Sequence, residues 1–517
     1  MSTMPHKFSK SELERILSSV VGKTLGEADI NHVFDKTITK PKITGIAGDV
    51  IEQSVLGYPG DSDKRPDLDV DGVLTELKTT GVRMPKRHEK GKEDRLEAKE
   101  PVSVTAVSIG AIEDEVFENS AFLHKVQHLL FVFYEYESAT AVAAAAYAQF
   151  HIRKYSFYHF GQDDMKTIRN DWQTVHDFLE NIRDTYADPD RRAMEYPKLS
   201  SVLNDQLDYL DTAPKYPHPP RFRLRRRVVT MIVRHVFYEQ AEESSSRYTG
   251  TNDVEKRCRS LAERYKGKTL LEIAKYFGID TSNMSNKQLK GIPGRVITMM
   301  FLDEGKKPMR QSRIPAMLKY GIILKTIALS YKGGRTEDTK FIAADLDALL
   351  KEPSFEGDDD AEIPPAEMYS YFHDHKILFA IFRESGPHVY VKGPDGKNID
   401  TYDMRTNIFQ GFKLVTFDDE LMNDAEKSWV EARSILKDGK LKAIPKTRKD
   451  GSVIVNPKGT IRMSVNLPKS EDHIVFFRGT GQDSSDKVVV QGVKMLRQYY
   501  WVNGKWLTKR LEGMEYL

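Results

Sequence analysis

The chain predicts a mixed α/β (α+β) architecture in which one module, a mixed sheet flanked by helices, occurs twice in tandem. Two observations carry this. Runs rich in β-branched and aromatic residues, at 73–82, 102–109 and 129–136, alternate with helical periodicity that is clearest over 165–186. Short matches also recur in one order along the chain. Gly22-Lys23-Thr24-Leu25 returns as Gly267-Lys268-Thr269-Leu270, an offset of 267 − 22 = 245. The stretch from Gly45 to Glu52 returns from Gly291 to Thr298 at 246, Leu77-Lys78-Thr79 as Leu324-Lys325-Thr326 at 247, and Leu130–Phe133 echoes Leu378–Ile381 at 248. An offset that drifts so slowly is what a duplicated domain with small insertions leaves behind.

Taken in order, Ser9 caps a first helix, with Glu12 three residues on. Next comes an apolar helical stretch, Gly45 to Leu56, that carries one carboxylate, Glu52. The strands and the long helix follow. Glu239 to Asp253, rich in Glu, Ser, Thr and Gly, cannot bury much surface and reads as a linker. The expected division is therefore a first domain over 1–240, a linker over 241–257 and a second domain over 258–517. Glu356 to Glu362 is an acidic surface loop of the second copy, and the alanine run Ala139 to Ala148 reads as buried core.

At 517 residues the chain exceeds what one core supports. With 39% hydrophobic and 30% charged residues it reads as soluble and globular. It has no stretch near the roughly 18 apolar residues of a membrane span, and no apolar leader in residues 1–10. A single cysteine, Cys258, fits a reducing cytoplasm. The net charge of +2, from 78 basic and 76 acidic residues, neither announces nor excludes nucleic acid, so the distribution of charge must decide.

The chemistry concentrates in Pro66-Asp67-Leu68-Asp69-Val70-Asp71-Gly72-Val73-Leu74-Thr75-Glu76-Leu77-Lys78-Thr79. Side chains alternate along a strand, so Glu76 and Lys78 emerge on one face while Leu77 points to the core. Asp69, delivered by the turn at Gly72, is expected to meet Glu76 around a hard cation that takes oxygen ligands and keeps waters, which suits Mg²⁺. Lys78 would then orient or help deprotonate an attacking water and offset phosphate charge. An Asp seven residues before a Glu-x-Lys also arises by chance, and alone it reads equally as solvated charges on an edge strand. Glu52 and Lys125, the latter just before the apolar strand 129–136, add weight to the functional reading.

Together these residues resemble the MutH family of mismatch-repair endonucleases, and still more the tandem-domain, GATC-cutting type II restriction enzymes of the Sau-three-A kind. The resemblance runs through the first copy in motif order. It takes in Leu25-Gly26-Glu27, the helix ending at Glu52, Asp69, the strand Glu76-Leu77-Lys78-Thr79, and His124-Lys125. It then reaches Asp171-Trp172 and Phe222-Arg223-Leu224-Arg225-Arg226-Arg227. It implies two restriction-endonuclease-like domains acting on double-stranded DNA. Asp69 and Glu76 would bind Mg²⁺, Glu52 would join them or hold a water, and Lys78 and Lys125 would serve the nucleophile and the scissile phosphate. A host methyltransferase of the same specificity is implied with it. Alanine stands at 213, before Pro214-Lys215, where the family has a basic residue in its sequence-reading arm. That departure bears on GATC specificity and not on cutting.

Carried through the repeat, Glu52 falls on Thr298, Asp69 near Ala316, Glu76 on Ile323 and Lys125 near His373; only Lys78 keeps its type, as Lys325. The second copy is expected to be catalytically dead, and to bind DNA, regulate, or buttress the first. With one active centre per chain, cutting both strands implies transient pairing of chains on DNA. Candidate DNA contacts are Lys86 and Arg87 in a basic loop, which reads equally as solvated, and Lys215. To these are added Arg223, Arg225 and Arg227 on one face of a basic strand, and Arg478 in the second copy.

Overall fold

The structure, a computed structural model, describes residues 5–41, 43–60, 65–84, 95–138, 142–238, 251–302, 317, 320–334, 337–357, 365–393, 398–448, 450–456, 459–481 and 486–517. The chain divides into two compact units at Thr251/Asn252. A helix, Thr251–Tyr265, runs through the second half of the segment expected as a linker, and Val254 and Cys258 on it are buried. Among the described residues, no helix is long and apolar enough to cross a membrane.

The first unit contains strands β1 (His6–Phe8), β2 (Leu68–Val70), β3 (Val73–Arg83), β4 (Glu97–Ala98), β5 (Val102–Ala106), β6 (Leu129–Glu135), β7 (Ile152–Tyr158), β8 (Leu210–Asp211) and β9 (Arg221–Leu224). Its main sheet is mixed, ordered β1-β2-β3-β6-β7, with β4 on the far end of β3; β5, β9 and β8 form a second sheet. β3 runs parallel to β6 and antiparallel to β2. All but the last residue of β6 is buried, as a central strand covered on both faces requires. Leu77, Leu130 and Val132 join Leu13, Leu17 and Ile51 in the core on one side of the sheet. Ser9 caps the first helix, Lys10–Ser18, by accepting from the Glu12 N–H at 3.1 Å. The long helix is Gln162–Thr185.

The second unit contains β10 (Ile322–Leu329), β11 (Thr339–Ala343), β12 (Lys376–Arg383), β13 (Tyr390–Lys392), β14 (Asn398–Asp400) and β15 (Ile408–Val415). It continues with β16 (Ala443–Pro445), β17 (Met463–Val465), β18 (Val475–Gly479), β19 (Lys487–Val490), β20 (Val493–Leu496) and β21 (Gln498–Val502). Its sheets are β10-β12-β15 and β11-β21-β18, with three two-stranded hairpins.

The duplication is written in the geometry as well as the sequence. β3 parallel to β6, then antiparallel β7, is matched by β10 parallel to β12, then antiparallel β15. Lys78 lies opposite Phe131, and Lys325 opposite Phe379. Thr24 with Glu27 and Thr269 with Glu272 form the same reciprocal capping box. Each follows a glycine at φ near 85°, Gly22 at 88° and Gly267 at 83°, a left-handed bend that other residues adopt at a cost. Trp172 and Trp429 are buried on the corresponding long helices.

Candidate active site

The hairpin β2–β3 turns on Asp71 and Gly72, both left-handed (φ 51° and 87°), and this fixes its register: Val70 faces Val73, Asp69 faces Leu74 and Leu68 faces Thr75. Position 67 is therefore the cross-strand neighbour of Glu76, because 67 + 76 = 69 + 74. This corrects the expectation for Asp69. Its carboxylate sits one step nearer the turn, where Oδ1 accepts the Gly72 N–H at 2.8 Å and caps the bend. Asp67 takes the place beside Glu76 instead. Its Oδ2 accepts the Leu77 N–H at 2.9 Å, and its own carbonyl accepts the His6 N–H from β1 at 3.0 Å.

Glu76 is the centre of the constellation. It is 1% exposed, anchored by its N–H to the His128 carbonyl at 2.9 Å. Its Oε1 accepts from Lys78 Nζ at 2.8 Å and from Lys125 Nζ at 3.1 Å. Lys125 comes from the helix Ala121–Val126, capped by Ser120, which packs against β3 and delivers the ammonium at 8% exposure. Among the described residues, Glu76 Oε2 is buried with no hydrogen-bond partner. A buried carboxylate oxygen without a donor is costly, and here it lies beside a second carboxylate. Burial and the Glu76 charge push Asp67 up to about 6, against the lowering effect of Lys78, the Leu77 N–H and Lys125. Burial alone would lower Lys78, but Glu76, Asp67 and Glu52 raise it above the ordinary lysine value, so it is held as the ammonium.

Glu52 completes the group. It lies on a π-helical turn, Ile51–Val55, that continues the helix Ile46–Val50. Its charge reaches Lys78, and its carboxylate borders Gly60, where a Cβ would come within 3.0 Å of Oε2. Such turns widen a helix locally and recur at functional sites. Glu52, Asp67 and Glu76 thus all act on Lys78, and the orphaned Glu76 oxygen is the point nearest them where a cation could be accepted. The donor set is all oxygen and suits Mg²⁺.

Other expectations fared differently. The basic strand expected through Arg227 ends at Leu224, and a helix, Arg226–Tyr238, begins directly after it. Arg223, Arg225 and Arg227 therefore do not share an open strand face. Arg223 Nε donates to Asp211 Oδ1 at 2.6 Å with both groups buried, Arg225 donates to the Leu207 carbonyl at 3.3 Å, and Arg227 donates to the Asp208 carbonyl. Buried cations need such partners; these arginines brace the segment 207–211. Asp171 grips the same segment, accepting the N–H groups of Asp208, Tyr209 and Leu210 at 2.9, 2.6 and 2.8 Å. Lys215 is exposed beyond it. Lys86 and Arg87 lie outside the described residues, as does Ala316. Among the described residues, the His, Asp and Glu side chains whose ligand atoms lie within 4.8 Å of one another are His176, Asp177 and Glu180, with His176 and Glu180 half-buried and Asp177 exposed; Glu52, Asp67 and Glu76 do not gather that closely.

In the second unit, Thr298 gives its hydroxyl to its own helix at the Gly294 carbonyl, Ile323 stands on β10, and His373 stacks on Tyr369 at 4.9 Å. Arg478 pairs with Asp338 at 2.6 Å.

Residues 56–171, which include Asp67, Glu76, Lys78 and Lys125, match the family described as DNA mismatch repair enzyme MutH. The chain is also 23% identical over 508 residues to the type II restriction enzyme Sau3AI of Staphylococcus aureus, covering 90% of this chain and 92% of that protein. Residues 56–171 thus resemble the MutH family and the chain as a whole resembles Sau3AI, and these matches support an enzyme of the nuclease class.

Proposed function

We propose that the chain is a Mg²⁺-dependent type II restriction endonuclease that hydrolyses phosphodiesters of double-stranded DNA, at GATC or a related site, leaving 5′-phosphate ends. The observation that carries this is the unsatisfied Glu76 Oε2, beside Asp67 and between Lys78 and Lys125, within the stretch that matches MutH. Asp67 and Glu76, joined by Glu52, would hold the ion, and Asp69 supports the turn that presents Asp67. When bound, the ion supplies Lewis-acid stabilisation of the charge that builds on the phosphate. Lys78, kept cationic by its carboxylate neighbours, orients the attacking water toward phosphorus through its N–H donors. Lys125 offsets the charge of the phosphate oxygens. As the new P–O bond forms, the bond to the 3′ oxygen breaks, giving a 3′-hydroxyl and a 5′-phosphate.

The second unit, with Ile323 where the first has Glu76, is a DNA-binding or allosteric module in this reading. One centre per chain would make double-strand cutting depend on transient pairing of chains on DNA, and a host methyltransferase of the same specificity would protect the genome.

The test is plasmid DNA incubated with Mg²⁺, with and without EDTA, followed by sequencing of the ends. Discrete double-strand breaks that EDTA abolishes are expected. Nicks alone would favour a repair-type endonuclease, as the MutH match allows, and retarded but uncut DNA would overturn the nuclease reading.

A further inference from the structure

The sheet β11-β21-β18 of the second unit has two unlike faces. Phe341, Tyr500, Val502, Val475 and Phe477 point into the core. By strand alternation, Lys340, Tyr499, Trp501 and Arg478 share the other face. Across it, Lys340 lies opposite Trp501 and Arg478 opposite Tyr499. The cations are seated on the rings: Lys340 Nζ is 4.3 Å from the centre of Tyr499, and the Arg478 guanidinium is 5.0 Å from both Trp501 and Phe476. Two lysines crowd in beside Arg478. Lys469 Nζ rests at 3.4 Å from the Phe477 carbonyl, and burial with the charges of Lys446 and Arg478 lowers it to about 8. Lys446 is lowered by burial, then by Arg462 and Arg478.

Cations gathered this closely repel one another and forgo hydration, so the arrangement wants an anion. Among the described residues the neutralising groups are few: Asp338 is taken by Arg478, and Glu471 bears on Lys469. Among the described residues, Lys446 and Lys469 find no ion-pair partner within 4 Å. Positive charge spread along a strip, interleaved with aromatic rings, matches a polyanion with sugar edges better than a single small anion.

We propose that this face is a seam for the sugar–phosphate backbone of duplex DNA, with Lys340, Lys446 and Lys469 contacting phosphodiester oxygens and Trp501 and Tyr499 packing on the sugar edge. The proposal rests on the second unit being a DNA-binding module. Arg478, already paired with Asp338, positions Trp501, whose indole N–H donates to the Arg478 carbonyl at 3.2 Å, and adds its charge to the face.

The experiment uses the full chain in EDTA and a fluorescent duplex lacking GATC, with affinity measured across a potassium chloride series. Lys446→Gln with Lys469→Gln should weaken binding about tenfold near 0.1 M salt and flatten the slope of log affinity against log salt by about two. Lys469→Arg should keep wild-type binding. An unchanged slope in a double variant that melts like the wild type overturns the seam, and so does displacement of the duplex by poly-glutamate at equal charge concentration. Should the double variant fail to fold, the single variant Lys446→Gln, half-exposed on its hairpin, decides by a slope change of about one. Binding with a normal slope but no cutting of GATC-bearing plasmid in Mg²⁺ would count against the nuclease reading alone.

Discussion

Lys78 and Lys325 occupy the same place in two copies of one module, each on a strand that runs parallel to its neighbour and each opposite a phenylalanine, Phe131 or Phe379. Their surroundings make them different reagents. Lys78 donates to Glu76 and is held as an ammonium by three carboxylates. Lys325 has Ile323 where Glu76 would be; its Nζ donates to the Lys340 carbonyl at 3.0 Å and lies 5.1 Å from the Phe341 ring. Burial and the Lys340 charge lower it to about 8. The scaffold alone therefore does not make a site. Neighbouring carboxylates convert a strand lysine from a buried liability into a stable ammonium.

Breaking this contrast should give its largest effect in the first unit. Glu76→Gln and Asp67→Asn are each expected to reduce single-turnover cleavage on the order of a thousandfold, whereas Lys325→Ala changes it less than about twofold, since exposed or remote substitutions rarely reach chemistry. Asp69→Asn sharpens the assignment, because an amide oxygen still caps Gly72. Its cleavage should stay within about tenfold of wild type. If Asp69→Asn is as damaging as Asp67→Asn, the register argument fails. Next in size, Arg223→Ala should cost about 3–5 kcal/mol of first-unit stability by stranding buried Asp211. The salt slope of DNA binding in any folded fraction should not move, which separates bracing from phosphate contact.

Asp67 was within reach of sequence reasoning. Asp71-Gly72 between Val70 and Val73 is the signature of a two-residue hairpin turn, and such a turn pairs 70 with 73 and hence 67 with 76. Counting a fixed interval back from Glu76 pointed to Asp69 because it ignored that pairing. That Glu76 and Lys78 share a strand face was legible from strand alternation, and Lys125 stood out by its place before an apolar strand; the structure brings both lysines onto Glu76. The duplication was legible too, because capping residues and bend glycines are fixed by local backbone geometry and survive when site residues do not. The arginines after Phe222 were misread for a different reason. Alternation was extended through 225–227, but the strand stops at Leu224, and the aspartate and carbonyls that claim these side chains come from 207–211. Pairings that distant leave no periodic trace.

A smaller effect concerns pH. Lys325 and Lys469 both sit near 8 when folded, below the ordinary lysine value of 10.5. Between about pH 8 and 10.5 the unfolded chain holds protons that the folded one has released, so second-unit stability should rise with pH across that window. Urea unfolding at pH 7.5 and 9.5 would read the trend, and Lys325→Met should flatten part of it. Smallest of all, Thr24→Ala and Thr269→Ala each remove a capping box and should cost about 1 kcal/mol apiece. Equal losses in thermal melts would mark the caps as shared scaffold, indifferent to which copy carries the chemistry.

The left-handed bend at Asp71 and Gly72 has an evolutionary corollary. Because neighbouring strand positions look to opposite sides, one residue gained or lost at this bend would swing Asp67 away from Glu76 while leaving the strands able to pair. Such a lesion would yield a folded protein with a silent centre. Lineages that need the cut should therefore tolerate many replacements around the tip but not a change in its length.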